Sequence, residues 1–106
     1  MLRITLLYVT SKSKEEAKKI SNAVIEESLA ACSNIIGEIN SIFNWEGRIC
    51  NETEIAFLLK TSPEKTHALR ERIIELHSYE VPCIIEIPVN LGNKEFLQWV
   101  IDQTKI

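Results

Sequence analysis

The chain has 106 residues, of which 12 are basic and 15 acidic, so its formal net charge is −3 at pH 7. A composition of 45% hydrophobic and 25% charged residues, with only three Gly and three Pro, is typical of a globular domain and excludes intrinsic disorder and collagen-like structure. The mild acidity argues against nucleic acid as a partner, because such binding depends on phosphate neutralisation by Lys and Arg.

A strand and a helix are predicted at the start of the chain. Residues 2–9 are apolar and β-branched, as in a buried strand. Ser13 and Glu16 have the spacing of a capping box, in which Ser13 accepts an amide hydrogen bond and Glu16 reaches back to the N-cap. Ala17, Ile20 and Val24 follow at helical spacing, which predicts a helix of about four turns.

The helical period disappears between residues 31 and 60, where alternating apolar and polar residues predict two strands. The alternation places four apolar residues on one face of the first of these strands: Ile35, Ile39, Phe43 and Trp45. Glu46 and Gly47 form the turn signal in this stretch. The sequence therefore predicts a long β-hairpin with its tip near Gly47.

A second helix, a fourth strand and a short third helix are predicted in the rest of the chain. Ser62 is placed as the N-cap of the second helix and Pro63 at its first position. Pro82 opens a strand over residues 83–89. The order β-α-β-β-α-β with a helical tail predicts an α+β fold, the ferredoxin-like sandwich, in one domain spanning residues 1–106. Two helices cover one face of its four-stranded antiparallel sheet.

The predicted hairpin is too long for a domain of this size. A globule of this length has a diameter of roughly 33 Å, whereas residues 32–45 in a strand extend about 46 Å. The outer part of the hairpin is apolar, and its large side chains are Ile42, Phe43, Trp45 and Ile49. Monomers rarely expose such a patch, so we expect each hairpin to join the sheet of a neighbouring subunit. The alternative is a coiled hairpin that folds over its own sheet.

The cysteines and the hydropathy pattern predict a cytoplasmic protein. Cys32, Cys50 and Cys83 are widely spaced and odd in number, which suits a reducing compartment. No apolar run has the length that a membrane span requires, and the N-terminus has no flanks of the secretory-signal kind.

The densest group of reactive side chains lies between the second helix and the last strand. His77, Tyr79 and Glu80 bring an imidazole, a phenol and a carboxylate onto one short loop, where they could ligate a divalent cation or exchange protons. The structural alternative is that His77 caps the second helix and Tyr79 fills an edge of the core. Lys60 either binds an anion in a cleft between subunits or extends its ammonium group to water.

Several short motifs occur in order along the chain. They are Leu29-Ala30-Ala31-Cys32 with Asn34-Ile35-Ile36, Trp45-Glu46-Gly47, Leu59-Lys60-Thr61, His77-Ser78-Tyr79-Glu80-Val81-Pro82 and Phe96-Leu97-Gln98-Trp99. In this order and spacing they resemble the CutA divalent-cation tolerance proteins, and the resemblance covers essentially the whole chain.

The resemblance implies a ferredoxin-like homotrimer that takes part in tolerance to copper and other divalent cations. It also implies an architecture similar to that of the nitrogen-regulatory PII proteins, which bind ligands in clefts between subunits. By this resemblance the ligand cleft is lined by Trp45, Lys60, Tyr79 and Glu80, and the metal ligands are His77 and Cys32, for copper or another divalent cation.

The metal pattern of the family is incomplete in this chain. Family members described as copper-binding have a Cys at the end of the first strand and two adjacent His before a Pro-Tyr pair. Val9, Leu76 and Ser78 stand where those members have the Cys, the first His and the Pro. One imidazole needs further ligands to hold copper tightly.

Three functions remain open at this point. The first is a non-enzymatic trimer of cation tolerance that binds copper or a small ligand between its subunits. The second is a hydrolase or isomerase with His77 as base, helped by Glu80, Tyr79 or Lys60. No phosphate-binding loop, nucleophile elbow or dinucleotide fingerprint supports an enzyme. The third is an assembly platform for another protein.

Overall fold

A computed structural model describes residues 2–105, in which strands and helices follow the predicted order. The strands are β1 (Ile4–Ser11), β2 (Cys32–Trp45), β3 (Arg48–Thr61) and β4 (Ile84–Val89), and the helices are α1 (Lys14–Glu26), α2 (Thr66–Leu76) and α3 (Lys94–Gln103). No helix within residues 2–105 combines the length and the apolar character needed to cross a membrane.

The four strands form one antiparallel sheet in the order β2-β3-β1-β4, which confirms the ferredoxin-like topology. Helices α1 and α2 cover one face, and the main core lies between them and the central strands. Its fully buried large side chains include Leu7, Ile20, Phe57, Leu59, Leu69 and Ile73. Helix α3 closes a smaller cluster with Ile4, Ala31, Leu97 and Val100.

The starts of α1 and α2 each differ in one respect from the prediction. Ser13 caps α1 as expected, and its Oγ accepts a hydrogen bond from the Glu16 amide at 3.1 Å. The Glu16 carboxylate, however, accepts from the amide of Lys12 at 3.3 Å rather than from that of Ser13. Ser62 and Pro63 begin a 3-10 turn, Pro63–Lys65, and α2 starts only after it.

The hairpin has its tip where the sequence predicts it. Trp45 pairs with Arg48, so the loop consists of Glu46 and Gly47, with φ of 51° and 79°. Two positive φ values are the signature of a type I′ turn. The pairing of β1 with β3 ends at Ser11 and Ile55, so beyond that point β2 and β3 continue as a two-stranded ribbon. This ribbon lengthens the molecule to 44 × 25 × 22 Å.

Because β2 contains a β-bulge, the prediction that four of its apolar residues share one face is wrong. Ile35 pairs with Phe57 and Gly37 with Ala56, so Ile36 is an extra residue. The insertion reverses the alternation of side chains. Ile35 therefore lies on the helix-covered face with Phe57. The other three residues predicted to share its face, Ile39, Phe43 and Trp45, lie on the opposite face.

Candidate functional site

A cavity of about 330 Å³ lies between the ribbon and the loop that joins α2 to β4. We call it the hairpin cavity. It is lined by Phe43, Trp45, Cys50, Glu52, Glu54, Tyr79, Glu80 and Val81. Three of the four residues predicted for the ligand cleft, Trp45, Tyr79 and Glu80, thus meet in one place.

The register of the hairpin explains how the ribbon wall of this cavity forms. Phe43 pairs with Cys50, and side chains that face each other across two strands lie on one face of a sheet. Since the side-chain period is two, Glu52 and Glu54 follow Cys50 on that same face. The wall therefore carries aromatic rings on β2 and carboxylates on β3.

Tyr79 closes the cavity from the loop side. Its Oη donates a hydrogen bond to Oε2 of Glu54 at 2.8 Å, and its ring centroid lies 4.8 Å from that of His77. Burial, followed by the hydrogen bond to Glu54 and the negative charge there, raises the pKa of the Tyr79 phenol well above its usual range. Tyr79 is therefore a neutral hydrogen-bond donor.

His77 is committed to the backbone rather than to the cavity. The residue is 8% exposed, and its Nε2 lies 2.7 Å from the carbonyl oxygen of Thr10. Because a carbonyl only accepts, Nε2 carries the proton and donates it. Its Nδ1 accepts from the amide of Tyr79 at 3.1 Å. No ring lone pair is left for a metal or for a substrate proton unless one of these hydrogen bonds breaks.

Glu16 fixes the same loop from α1. Its Oε2 accepts from the amide of Ser78 at 2.8 Å. Burial by itself raises the pKa of the Glu16 carboxyl. The hydrogen bonds from Ser78 and Lys12 and the neighbouring His77 lower it by more than burial raises it, so the net pKa lies below its ordinary value. The capping-box spacing marks Glu16 in the sequence, but it gives no sign of this contact across 62 residues.

Lys60 and Cys32 do not join the hairpin cavity within one chain. They pair with each other in the β2–β3 register. Lys60 Nζ donates to Oδ1 of Asn34 at 2.6 Å and lies 5.4 Å from the ring centroid of Phe96. Along β3, Lys60 is six residues from Glu54, roughly 20 Å by the rise of a strand. A cleft that unites these residues with the cavity therefore requires a neighbouring subunit.

The side chains of a single chain do not fit a metal centre. Within residues 2–105 no group of three or more His, Cys, Asp or Glu side chains is placed to hold a metal ion. Cys32 pairs with Lys60 of β3, which in turn pairs with Leu6 of β1. His77 contacts Thr10, which lies four residues, or roughly 13 Å, further along β1 than Leu6. The two predicted ligands are thus apart, and the imidazole is already hydrogen-bonded at both nitrogens.

A second and larger cavity, of about 560 Å³, lies beside the start of α1. It is lined by the bulge of β2 and by side chains of both charges, among them Lys12, Lys14, Glu15 and Glu38. It holds none of the residues predicted for a site, and its mixed charge favours no class of ligand. The hairpin cavity is therefore the better candidate.

Comparisons with known proteins agree on one family. The family model described as CutA1 divalent ion tolerance protein matches residues 5–103. The divalent-cation tolerance protein CutA of Archaeoglobus fulgidus is 47% identical over 98 residues, which cover 92% of this chain and 94% of that protein. The protein of the same name from Thermus thermophilus is 38% identical over 99 residues, covering 93% and 96%. The crystal structure of the divalent ion tolerance protein CutA1 from Ehrlichia chaffeensis superposes with a TM-score of 0.93 at 40% identity, covering 100% of this chain and 99% of that one.

Proposed function

The chain belongs to the CutA1 divalent ion tolerance family, and from this premise we propose that it acts in tolerance to copper and other divalent cations as a homotrimer. In this proposal each trimer binds a small ligand in the hairpin cavity at a subunit boundary, by analogy with PII proteins. The observation that carries the proposal is the lining of this cavity, which includes Phe43, Trp45 and Val81, large apolar side chains that a single chain leaves exposed.

The ribbon supports assembly because its large side chains face water in the single chain. The exposed fractions are 68% for Ile42, 75% for Ile49 and 53% for Trp45. A two-stranded ribbon is marginally stable alone, and apolar patches of this size mark interaction surfaces. A neighbouring subunit would cover the patch and supply partners for the unpaired edge of β2.

The uncovered face of the sheet supports the same conclusion. Leu7 and Val9 belong to the core under the helices, so the alternating residues Leu6 and Tyr8 lie on the open face. Ile87 pairs with Leu6 and Ile85 with Tyr8 on β4, and both isoleucines are partly exposed.

Light scattering coupled to size exclusion tests the assembly. We expect a mass three times the 12.1 kDa of one chain. Ile85→Asp should dissociate the trimer or cause aggregation, whereas Ile25→Asp, on the exposed side of α1, should leave the mass unchanged. A folded wild-type protein with the mass of a single chain would overturn the proposal.

Ligand binding in the cavity, rather than a resident metal or an enzymatic step, is the role that we propose. A resident copper ion would have to displace a hydrogen bond of His77 and bring Cys32 from another subunit. The same two hydrogen bonds leave His77 no lone pair with which to act as a base. Calorimetric titration with Cu²⁺ and Cu⁺ should give no tight site; tight binding that Cys32→Ala abolishes would favour direct copper coordination instead.

A growth assay tests the link to tolerance. In cells that lack their own family member, the wild-type chain should restore growth on elevated copper. Glu80→Gln should fail to do so while keeping the trimer mass, and Glu38→Gln, outside the hairpin cavity, should restore growth fully. If Glu80→Gln restored growth as fully as Glu38→Gln, the hairpin cavity would not be needed for copper tolerance.

We also propose a cytoplasmic location. The three cysteines are free and half-buried, which suits a reducing compartment. Burial raises the pKa of the Cys83 thiol and so keeps it protonated and unreactive. Cell fractionation should recover the chain with cytoplasmic markers.

A further inference from the structure

We infer that a groove at the end of the sheet remote from the ribbon tip binds the phosphate group of a small anion. The inference goes beyond the proposed function and does not depend on the hairpin cavity. It rests on a nearly buried hydroxyl without a hydrogen-bond partner, on the cationic side chains around it and on the open space that they line.

Two adjoining cavities form this groove, which we call the basal groove. Their volumes are about 370 Å³ and 260 Å³, and both are lined by Ser62, Glu64 and Ile101. Ser62 directly follows the last residue of β3, so the groove lies roughly 40 Å along that strand from the turn at the ribbon tip. It is therefore far from the ribbon that we expect a neighbouring subunit to cover.

Ser62 is the residue that points to a ligand. The sequence predicts it as an N-cap, but its side chain caps neither the 3-10 turn nor α2. The residue is only 6% exposed, and within residues 2–105 its hydroxyl has no hydrogen-bond partner, whereas its carbonyl oxygen accepts from the Lys65 amide and the Thr66 hydroxyl.

The Ser62 hydroxyl is directed at the groove rather than at the core. Every side-chain oxygen that is sealed from solvent within the described part of the chain has a partner, so the unpartnered Oγ of Ser62 must reach open space. The open space beside this residue is the basal groove. Polar groups on nearly buried residues normally form a hydrogen bond, and a ligand atom in the groove would provide it.

The charged side chains around this hydroxyl indicate an anion. Lys65 and Lys105 line the larger cavity and Arg3 lines the smaller one. Among residues 2–105 neither Arg3 nor Lys65 forms an ion pair, and Lys105 has one, at 3.3 Å with Asp102. Glu64 is the one carboxylate of the lining, and it is exposed. The groove thus carries an excess of positive charge in a chain whose net charge is −3.

This excess of positive charge favours a phosphate group over a carboxylate. A phosphate monoester carries a charge of about −1.5 to −2 at pH 7 and has three acceptor oxygens, whereas a carboxylate has a single charge and two oxygens. Arg and Lys both bind phosphate, and a hydroxyl adds a neutral donor. Ile101 lines both cavities and offers apolar surface to a short carbon chain.

Calorimetric titration of the intact protein tests the inference. The probes are inorganic phosphate and glycerol 3-phosphate, with acetate at equal ionic strength as the monoanion. We expect saturable heat with both phosphates and none with acetate. The phosphate that binds more tightly identifies the source as free phosphate or as a phosphate ester.

Substitutions in the groove should change phosphate binding in opposite directions. Ser62→Ala removes the hydroxyl donor and should weaken binding about tenfold, with a nearly unchanged melting temperature because this hydroxyl has no partner in the fold. Lys65→Gln should weaken binding to a similar extent. Glu64→Gln should tighten it, since this change removes the negative charge that repels the anion.

Lys18→Gln is the matched control, because Lys18 is an exposed lysine of α1 outside the groove. It should bind phosphate as the wild type does. No saturable heat with either phosphate, an equal response to acetate, or equal weakening by Lys65→Gln and Lys18→Gln would overturn the inference. A Ser62→Ala protein that binds phosphate normally would overturn it as well, and so would one that melts well below the wild type, because the hydroxyl would then have a structural partner.

Discussion

The hydroxyl of Tyr79 donates a 2.8 Å hydrogen bond to Glu54 and so ties the loop after α2 to β3 at the point where the ribbon leaves the sheet. The two residues are 25 positions apart in the sequence. Both residues line the hairpin cavity, and their contact connects the loop after α2 to the ribbon. The geometry of the candidate site therefore depends on it.

Tyr79→Phe tests the strength of this link. The substitution leaves Oε2 of the nearly buried Glu54 without its donor, so we expect the free energy of unfolding to fall by about 1–2 kcal/mol. Urea denaturation at a fixed protein concentration measures it, because assembly makes stability depend on concentration. Tyr8→Phe, on the open face of the sheet, should change stability by less. Equal effects of the two would show that the hydrogen bond is not stabilising.

A second prediction concerns the pH dependence that Glu16 introduces. Its pKa lies below the ordinary value of 4.5 in the folded state, so its contribution to stability is complete above that value and is lost as the pH falls through the folded-state pKa. Glu16→Gln should therefore destabilise the protein by about 1–2 kcal/mol near neutral pH, and the difference from the wild type should shrink in acid.

The control for this experiment is Glu15→Gln, in the same first turn of α1 but exposed. It should cost only a few tenths of a kcal/mol, through the helix dipole. Unfolding curves at a series of pH values would contradict the prediction if the Glu16→Gln difference stayed constant into acid, since the carboxylate would then not be the group that titrates.

Local patterns in the sequence predict the strands, helices and turn correctly, but they do not predict which side chains lie on which face of the ribbon. Helical spacing, the Ser13 cap and the turn at Gly47 each depend on a few neighbouring residues, so they are readable directly. The bulge at Ile36 is one extra residue, and it reverses every later side chain of β2. Gly37, with φ of 132°, is the signal that could have marked it, because glycine inside a strand often accompanies a bulge.

The candidate site was predictable only in part for a related reason. Trp45, Tyr79 and Glu80 carry family motifs and do meet in the cavity. The residues that complete the cavity wall, such as Glu54, lie on β3. In the sequence the acidic residues of this strand alternate with apolar ones, as on any strand with one face in water. Their role depends on a loop that arrives from a distant part of the sequence, and no local pattern encodes that approach.

His77→Ala should act on stability rather than on chemistry. It removes the hydrogen bonds to the Thr10 carbonyl and from the Tyr79 amide and leaves a cavity, so we expect a loss of about 2–3 kcal/mol in the free energy of unfolding. His67→Ala, at an exposed site on α2, is the matched control and should cost less than about 0.5 kcal/mol. If His77→Ala left the stability unchanged, the imidazole would not stabilise the fold, and the hypotheses that it is a metal ligand or a general base would be favoured instead.

The two residues of the turn at the ribbon tip offer one substitution that should stabilise the protein and one that should destabilise it. Glu46 adopts a left-handed φ of 51°, which costs a non-glycine residue about 1 kcal/mol, whereas Asn tolerates it and is favoured before Gly in type I′ turns. Glu46→Asn should therefore raise the melting temperature. Gly47→Ala should lower it, and because nothing lies within 4 Å of an added Cβ, the loss would come from the backbone alone. If both variants melted like the wild type, the ribbon tip would already be open before the cooperative transition, and its turn would not contribute to the stability of the assembled protein.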